Sequence, residues 1–148
     1  MRTPGWQDGV VQGRTHQHPD TDRGRRSDYW GVVLDAQDAH ALARFYRDLL
    51  GWEIAKEDAE GAALLPPDGV AYLAVQTNHH YVRPVWPDDG RSQQMMLHLD
   101  FEVDDLDAAV DSALAAGAEL AATQPQHDVR VMLDPAGHPF CLYRGTPD

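Results

Sequence analysis

Cysteine and basic residues are scarce in this sequence. Its single cysteine, Cys141, has no internal partner for a disulfide, which fits a reducing compartment. Only 12 Lys and Arg stand against 24 Asp and Glu, so the formal net charge is −12. Because such a chain repels phosphate backbones and anionic membrane surfaces, we expect neither a nucleic-acid partner nor a membrane partner.

Long apolar segments are also missing. No apolar run approaches the ~20 residues that span a bilayer, and nothing near Met1 resembles the apolar core of a signal peptide. Hydrophobic residues make up 43% of the chain and charged residues 24%, which is ordinary for a globular protein. We therefore expect a cytoplasmic protein whose 148 residues share one core.

The first 28 residues lack apolar periodicity. They are rich in Gly, Pro, Asp, Arg, Gln and His, a composition that buries too little surface to order itself. We expect residues 1–28 to form a flexible leader. His16 and His18 then belong to a solvated tail rather than to a metal site.

Residues 29–76 carry the pattern of a βαβββ module. Trp30, Val32 and Leu34 alternate with other residues as in a half-buried strand. Asp38 can cap a following helix, and Gly51 supplies its left-handed end. The remaining pattern predicts three short strands over 52–56, 62–65 and 71–76.

The same order of elements recurs after a Pro- and Asp-rich linker at 77–94. Residues 95–144 predict a strand over 95–103, a helix that begins at Asp104 or Asp105 and ends at Gly117, and strands over 119–122, 128–133 and 139–143. Aligning Asp38 with Asp105 places Gly31 on His98. The sequence therefore predicts an α+β fold of two duplicated βαβββ modules.

The helix faces and the sheet edges predict how the modules pack and associate. Phe45 and Leu49 on the first helix, and Val110 and Leu114 on the second, are expected to lie against the outer side of the sheet. Each sheet also leaves edge strands that must be paired or protected, which favours a homodimer.

Three segments carry a family resemblance, and in chain order they are VVLDAQDAHALARFYRDLLGW, HLDFEVDDLDAAV and DPAGHPFCLY. They resemble the vicinal-oxygen-chelate superfamily of glyoxalases, bleomycin-resistance proteins and extradiol dioxygenases. The resemblance is to its glyoxalase-like subfamily and covers about residues 29–143. It implies that the two modules form a U-shaped mixed sheet around a central cleft, with the helices outside.

Metal-dependent members of that superfamily place ligands on the first and last strands of each module. Transferred to this sequence, the resemblance places those positions at Gly31, His98, Cys141 and either Leu73 or Ala74. Only His98 is a usual ligand of such sites. We therefore expect no cofactor and no metal centre of the usual kind. If a divalent metal binds, His98 with Cys141 or Gln76 would hold it.

The polar face of the strand over 95–103 holds the candidate site. His98, Asp100 and Glu102 share this face by strand geometry, and it either meets water or, as the resemblance implies, lines the cleft. His98 and Glu102 are the candidate catalytic residues. The expected ligand-binding positions are Val33, Asp35, Gln76, His98, Asp100, Cys141 and Tyr143. Cys141 is otherwise a small buried side chain, and His138 a turn residue.

These observations favour a protein that binds a small molecule in its cleft without metal, in a sequestering or resistance-type role. The acidic balance suits a cationic ligand. The alternative is an enzyme, namely a metal-dependent or His98-dependent lyase, isomerase or dioxygenase of the same superfamily. A third hypothesis, a pure interaction domain, would require an exposed apolar patch instead of a cleft.

Overall fold

The computed structural model describes residues 30–145. The first module contains β1 (Trp30–Ala36), α1 (Ala39–Leu50), β2 (Glu53–Asp58), β3 (Gly61–Leu65) and β4 (Ala71–Thr77). The second contains β5 (Leu99–Val103), α2 (Leu106–Ala116), β6 (Glu119–Leu120), β7 (Val129–Leu133) and β8 (Pro139–Arg144). The expected α+β fold of two βαβββ modules is confirmed.

Each module folds its four strands into one mixed sheet. The strand orders are β1-β4-β3-β2 and β5-β8-β7-β6, so β1 and β5 are edge strands at equivalent positions. β1 runs parallel to β4, and β5 runs parallel to β8. Within residues 30–145, no strand of one sheet pairs with a strand of the other. Helices α1 and α2 pack against each other and against strands of their own modules.

The strand registers show how the modules correspond. Val33 pairs with Ala74 in the first sheet, and Asp100 pairs with Cys141 in the second. Because Val33 and Asp100 occupy the same place relative to the two helix caps, the counterpart of Cys141 is Ala74.

Both helices begin and end where the sequence predicts. The Asp38 carboxylate accepts a hydrogen bond from the backbone N–H of Ala41 at 2.9 Å, and Asp105 caps α2 in the same way. Gly51 and Gly117 end the helices with φ values of 69° and 116°, in the left-handed region that favours glycine.

An apolar core joins the two modules. Tyr46 of α1 and Phe140 of β8 are fully buried, with ring centroids 6.3 Å apart, and Phe45 contacts both rings. Leu49 and Val110 are half-buried against the same core. The aromatic side chains of one module therefore pack directly against the last strand of the other.

Two details of the sequence prediction are wrong. The strand predicted over 95–103 begins only at Leu99, because its partner β8 begins at Pro139, which has no N–H to continue the ladder. Leu114 is 45% exposed, and the buried positions of α2 are Leu106 and Ala113. Successive helical residues are rotated by about 100°, so Leu114 lies at the edge of the stripe that those two residues define.

The connection between the modules contains no helix or strand. It follows Thr77 and continues to Leu99, and all its residues are exposed or half-buried. The expected leader over 1–28 lies outside the described residues. Neither α1 nor α2 is long and apolar enough to cross a membrane.

Candidate functional site

A cavity of about 350 Å³ opens where the edge strand β1, the connection between the modules and the start of β8 meet. Its wall is mainly apolar, and the residues that form this part are Val33, Leu34, Val82, Pro84, Met95, Met96, Leu97 and Pro139. Polar groups enter from a few positions, including Asp35, Asn78 and His138. An apolar wall with a few polar groups is typical of sites that bind small molecules.

Asp35 carries a negative charge on the cavity wall. Its carboxylate accepts hydrogen bonds from Gln76 Nε2 at 2.7 Å and from Asn78 Nδ2 at 2.9 Å. Both donors are neutral amides, so they orient the carboxylate without neutralising it. Among residues 30–145, no basic side chain lies within salt-bridge distance of Asp35, so its charge is available to a ligand.

A buried carboxylate, Asp134, organises the polar end of the cavity. It is 1% exposed and accepts hydrogen bonds from the backbone N–H groups of Ala136 at 2.9 Å and His138 at 3.0 Å. The Tyr46 hydroxyl donates to it at 2.7 Å, and His138 Nδ1 lies 2.8 Å from Oδ2. This carboxylate therefore connects α1 of the first module to the β7–β8 turn of the second.

Tyr81 extends this network from the connection. Its hydroxyl donates to the carbonyl oxygen of Ala136 at 2.7 Å and lies 3.3 Å from His138 Nε2. Burial, and then the charge of Asp134, raises the pKa of Tyr81 to about 12. The same two causes raise the pKa of Tyr46 well above its usual range. Both tyrosines therefore remain neutral hydrogen-bond donors at physiological pH.

A second group of polar side chains lies where β5 begins, beside β8 of the second module. His98, Asp100 and Cys141 each offer one ligand atom, and these atoms lie within 4.8 Å of one another. His98 Nε2 is 3.1 Å from Asp100 Oδ1, with 41% and 54% of the two side chains exposed. Cys141 is half-buried beside them. The parallel pairing of β5 with β8 produces this cluster, because it places Asp100 opposite Cys141.

The cluster keeps its cysteine protonated. Burial, and then the charge of Asp100 and a hydrogen bond to it, raises the pKa of Cys141 from 9.0 to about 11. A thiol of that pKa is a poor nucleophile at neutral pH, since the thiolate is the reactive form.

Alkylation of Cys141 should therefore be slow. At pH 8 we expect iodoacetamide to react roughly 100-fold more slowly with it than with an ordinary peptide thiol, in proportion to the thiolate fraction. Asp100→Asn removes the charge beside the thiol and should speed the reaction. Mass spectrometry of the only cysteine gives the rate directly. Equal rates for the protein and a peptide thiol at pH 8 would contradict this account.

The family's four-ligand metal site does not fit this chain. The Tyr72 ring lies against Gly31, where any Cβ would overlap it, and Ala74 offers only a methyl group. Of the four positions that the resemblance assigns, only His98 and Cys141 of the second module offer a donor atom. Hard ions such as Mg²⁺ and Mn²⁺ prefer oxygen ligands, so the His98, Asp100 and Cys141 set does not suit them.

The expected site residues lie in four places. Val33 and Asp35 line the cavity. Gln76 lies on β4, where it donates to Asp35 and borders a depression on the first sheet. His98, Asp100 and Cys141 form the cluster. Glu102 and Tyr143 pair with each other two positions beyond Asp100 and Cys141, and the Glu102 carboxylate lies against the backbone of Gly145.

Sequence reasoning missed the residues that build the polar end of the cavity. Tyr46 appears only as a core position of a helix, and Tyr81 as part of a connection. The signal for Asp134 and His138 is their spacing in DPAGH, since an Asp at the start of a turn often accepts from the backbone two residues later. That pattern indicates the turn but gives no hint that a cavity lies beside it.

The family model and the similar solved structures both indicate a glyoxalase-like protein. A family model described as a glyoxalase-like domain matches residues 31–143. No curated protein matches the sequence. Among solved structures, a glyoxalase/bleomycin resistance protein/dioxygenase family enzyme from Burkholderia phytofirmans PsJN is 21% identical, with a TM-score of 0.60 over 77% of this chain and 95% of that one.

Two further solved structures have the same fold. The fosfomycin resistance protein FosX from Listeria monocytogenes is 15% identical, with a TM-score of 0.60 over 82% of this chain and 93% of that one. Lactoylglutathione lyase from Agrobacterium tumefaciens is 19% identical, with a TM-score of 0.54 over 81% of this chain and 95% of that one. At these identities the likeness establishes the fold alone.

Proposed function

Since this chain belongs to the glyoxalase-like family of the vicinal-oxygen-chelate superfamily, we propose that it binds a small organic amine in the cavity beside β1, without a metal ion. The observation that carries the proposal is Asp35, a carboxylate on an apolar cavity wall whose partners are neutral amides. A protonated amine at this carboxylate would complete the site.

The cavity suits a compact ligand with an apolar body. Its volume of about 350 Å³ lies within the range of small-molecule sites. Met95 and Met96 form part of the wall, and their flexible thioethers adapt to different ligand shapes. The net charge of −12 surrounds the site with a negative potential that attracts cations.

A sequestering or resistance-type role fits this arrangement. Sequestration needs a cavity and no reaction, whereas the superfamily's metal chemistry needs ligands that the first module lacks. One structural neighbour is described as a fosfomycin resistance protein, so the fold serves resistance in at least one case. The protein would act by removing its ligand from solution.

Binding of amines tests this proposal directly. Thermal shift and calorimetry with 2-phenylethylamine should show stabilisation and binding, while its neutral counterpart 2-phenylethanol should bind more weakly. Asp35→Asn should weaken binding of the amine about tenfold, because the charge interaction is lost. Asp111→Asn, on the exposed face of α2, is the control and should leave the affinity unchanged.

Elemental analysis tests the metal-independent part of the proposal. Protein purified without chelators should contain no stoichiometric divalent metal, and EDTA should leave amine binding intact. One equivalent of a divalent metal that disappears in His98→Ala would refute metal independence.

The His98, Asp100 and Cys141 cluster favours a second candidate function. Three potential ligand atoms within 4.8 Å of one another could serve a metal-dependent or His98-dependent lyase, isomerase or dioxygenase. Turnover of a 2-oxoaldehyde hemithioacetal or a catechol that is lost in His98→Ala would support the enzyme. His127→Ala is a matched control, since that side chain is 96% exposed.

We also propose that the protein forms a homodimer through the outer edges of β1 and β5. Both edges lack a partner strand among the described residues, and large apolar side chains near them are exposed, including Trp30 at 59% and Met96 at 78%. Exposed strand edges and apolar side chains both favour association. The partner is a second copy because one chain presents both edges.

Light scattering at micromolar concentration should give about twice the single-chain mass of 16.5 kDa. Trp30→Glu should shift the protein towards the single-chain mass, because it places a charge in the interface. Leu120→Glu changes an exposed apolar residue on the far strand of the second sheet and should leave the dimer intact. A wild-type mass of 16.5 kDa at every concentration would exclude the dimer.

A further inference from the structure

We infer that His138 is a second ligand-recognising group in the cavity, which accepts a hydrogen bond from a ligand hydroxyl, and that the buried Asp134 is its positioning residue. The inference rests on the proposed binding of an amine at Asp35 and extends it. Together, the two groups select a ligand that carries both an ammonium group and a hydroxyl group.

The hydrogen bonds of Asp134 determine which nitrogen of His138 carries the proton. Asp134 accepts from two backbone N–H groups and from the Tyr46 hydroxyl, so it acts as an acceptor towards all three. His138 Nδ1, 2.8 Å from Asp134 Oδ2, must then be the donor. In the neutral imidazole, Nε2 is left with a lone pair.

Among the residues that the structure describes, Nε2 receives no hydrogen bond in this tautomer. Its neighbour at 3.3 Å is the Tyr81 hydroxyl, but that hydroxyl donates its only proton to the Ala136 carbonyl at 2.7 Å. The residues that the structure describes therefore give Nε2 an oxygen beside it and no donor. The His138 side chain is 19% exposed and lines the cavity. A hydroxyl bound in the cavity can supply the missing proton.

Asp35 lines the same cavity and supplies the complementary charge. A ligand ammonium would pair with the Asp35 carboxylate, and a ligand hydroxyl would donate a hydrogen bond to His138 Nε2. An apolar ligand body between those two groups would contact the apolar wall that includes Met95 and Met96. The chemical class is therefore a small hydroxylated amine.

Nitrogen NMR on the full chain tests the tautomer without any ligand. At pH 8.5 the ¹⁵N shifts of His138 should show a protonated Nδ1 and an unprotonated Nε2. Asp134→Asn should give the opposite tautomer, with the proton on Nε2. The new amide oxygen accepts from the backbone N–H groups, so the NH₂ group faces Nδ1 and donates to it. If Asp134→Asn does not fold, the wild-type spectrum alone decides. A protonated Nε2 in the neutral wild-type imidazole would overturn the inference.

A matched pair of amines tests recognition. Tyramine differs from 2-phenylethylamine by one hydroxyl group, and calorimetry should show that it binds about fivefold more tightly to the wild-type protein. His138→Phe should bring the ratio of the two affinities to about one, and Asp35→Asn should weaken the binding of both amines. Equal, Asp35-dependent affinities in the wild type would overturn the role of His138 and leave the proposed function standing. If neither amine binds, the proposed function fails, and the inference fails with it.

Discussion

Replacing Asp134 with alanine is expected to lower the free energy of unfolding by about 3 to 5 kcal/mol. The substitution leaves the Tyr46 hydroxyl, two backbone N–H groups and His138 Nδ1 without their acceptor in a site that is 1% exposed. A buried donor without a partner costs about 1 to 3 kcal/mol, and water admitted by the smaller side chain offsets part of the sum. Urea denaturation followed by far-UV circular dichroism measures the change.

Tyr46→Phe is the matched control for this experiment. It removes one donor from the same carboxylate and keeps the ring in the core, so we expect a loss of about 1 to 2 kcal/mol. The two losses should not add in the double variant, because both act on one hydrogen-bond network. A loss below about 1 kcal/mol for Asp134→Ala would mean that the network contributes no more than a surface interaction.

Replacing Phe45 with alanine should lower the free energy of unfolding by about 3 kcal/mol. Phe45 is 3% exposed, and its ring lies 4.8 Å from that of Tyr46 and 6.0 Å from that of Phe140, measured between centroids. The truncation would leave a cavity between α1 of one module and β8 of the other. Chemical denaturation at 25 °C measures the loss.

Leu114→Ala provides the comparison for Phe45→Ala. Leu114 is 45% exposed at the edge of the buried stripe of α2, and alanine is a good helix former, so the change should stay within about 0.5 kcal/mol. Similar losses for the two variants would show that the helix faces are assigned wrongly.

The sequence alone determined the elements and their order. Helix α1 begins after Asp38 and ends before Gly51 because capping and the left-handed stop depend on residues within one turn of each end. The same local signals define α2, and the matching positions of the two caps predict the duplicated modules. Alternation along a strand is equally local, so His98, Asp100 and Glu102 could be assigned to one polar face before any packing was known.

The tertiary structure decided which distant residues come together to form the candidate site. Asp134 meets Tyr46 across 88 positions of the chain, and Tyr81 meets His138 across 57, so neither contact leaves a periodic signal in the sequence. Whether Gln76 reaches a metal position or Asp35 depends on the register of β4 against β1, which a shift of one residue would reverse. The cavity itself exists only because residues of the connection between the modules lie beside β1 and the start of β8. Local chemistry specifies helices and strands, whereas a site built from three distant segments depends on how the modules pack.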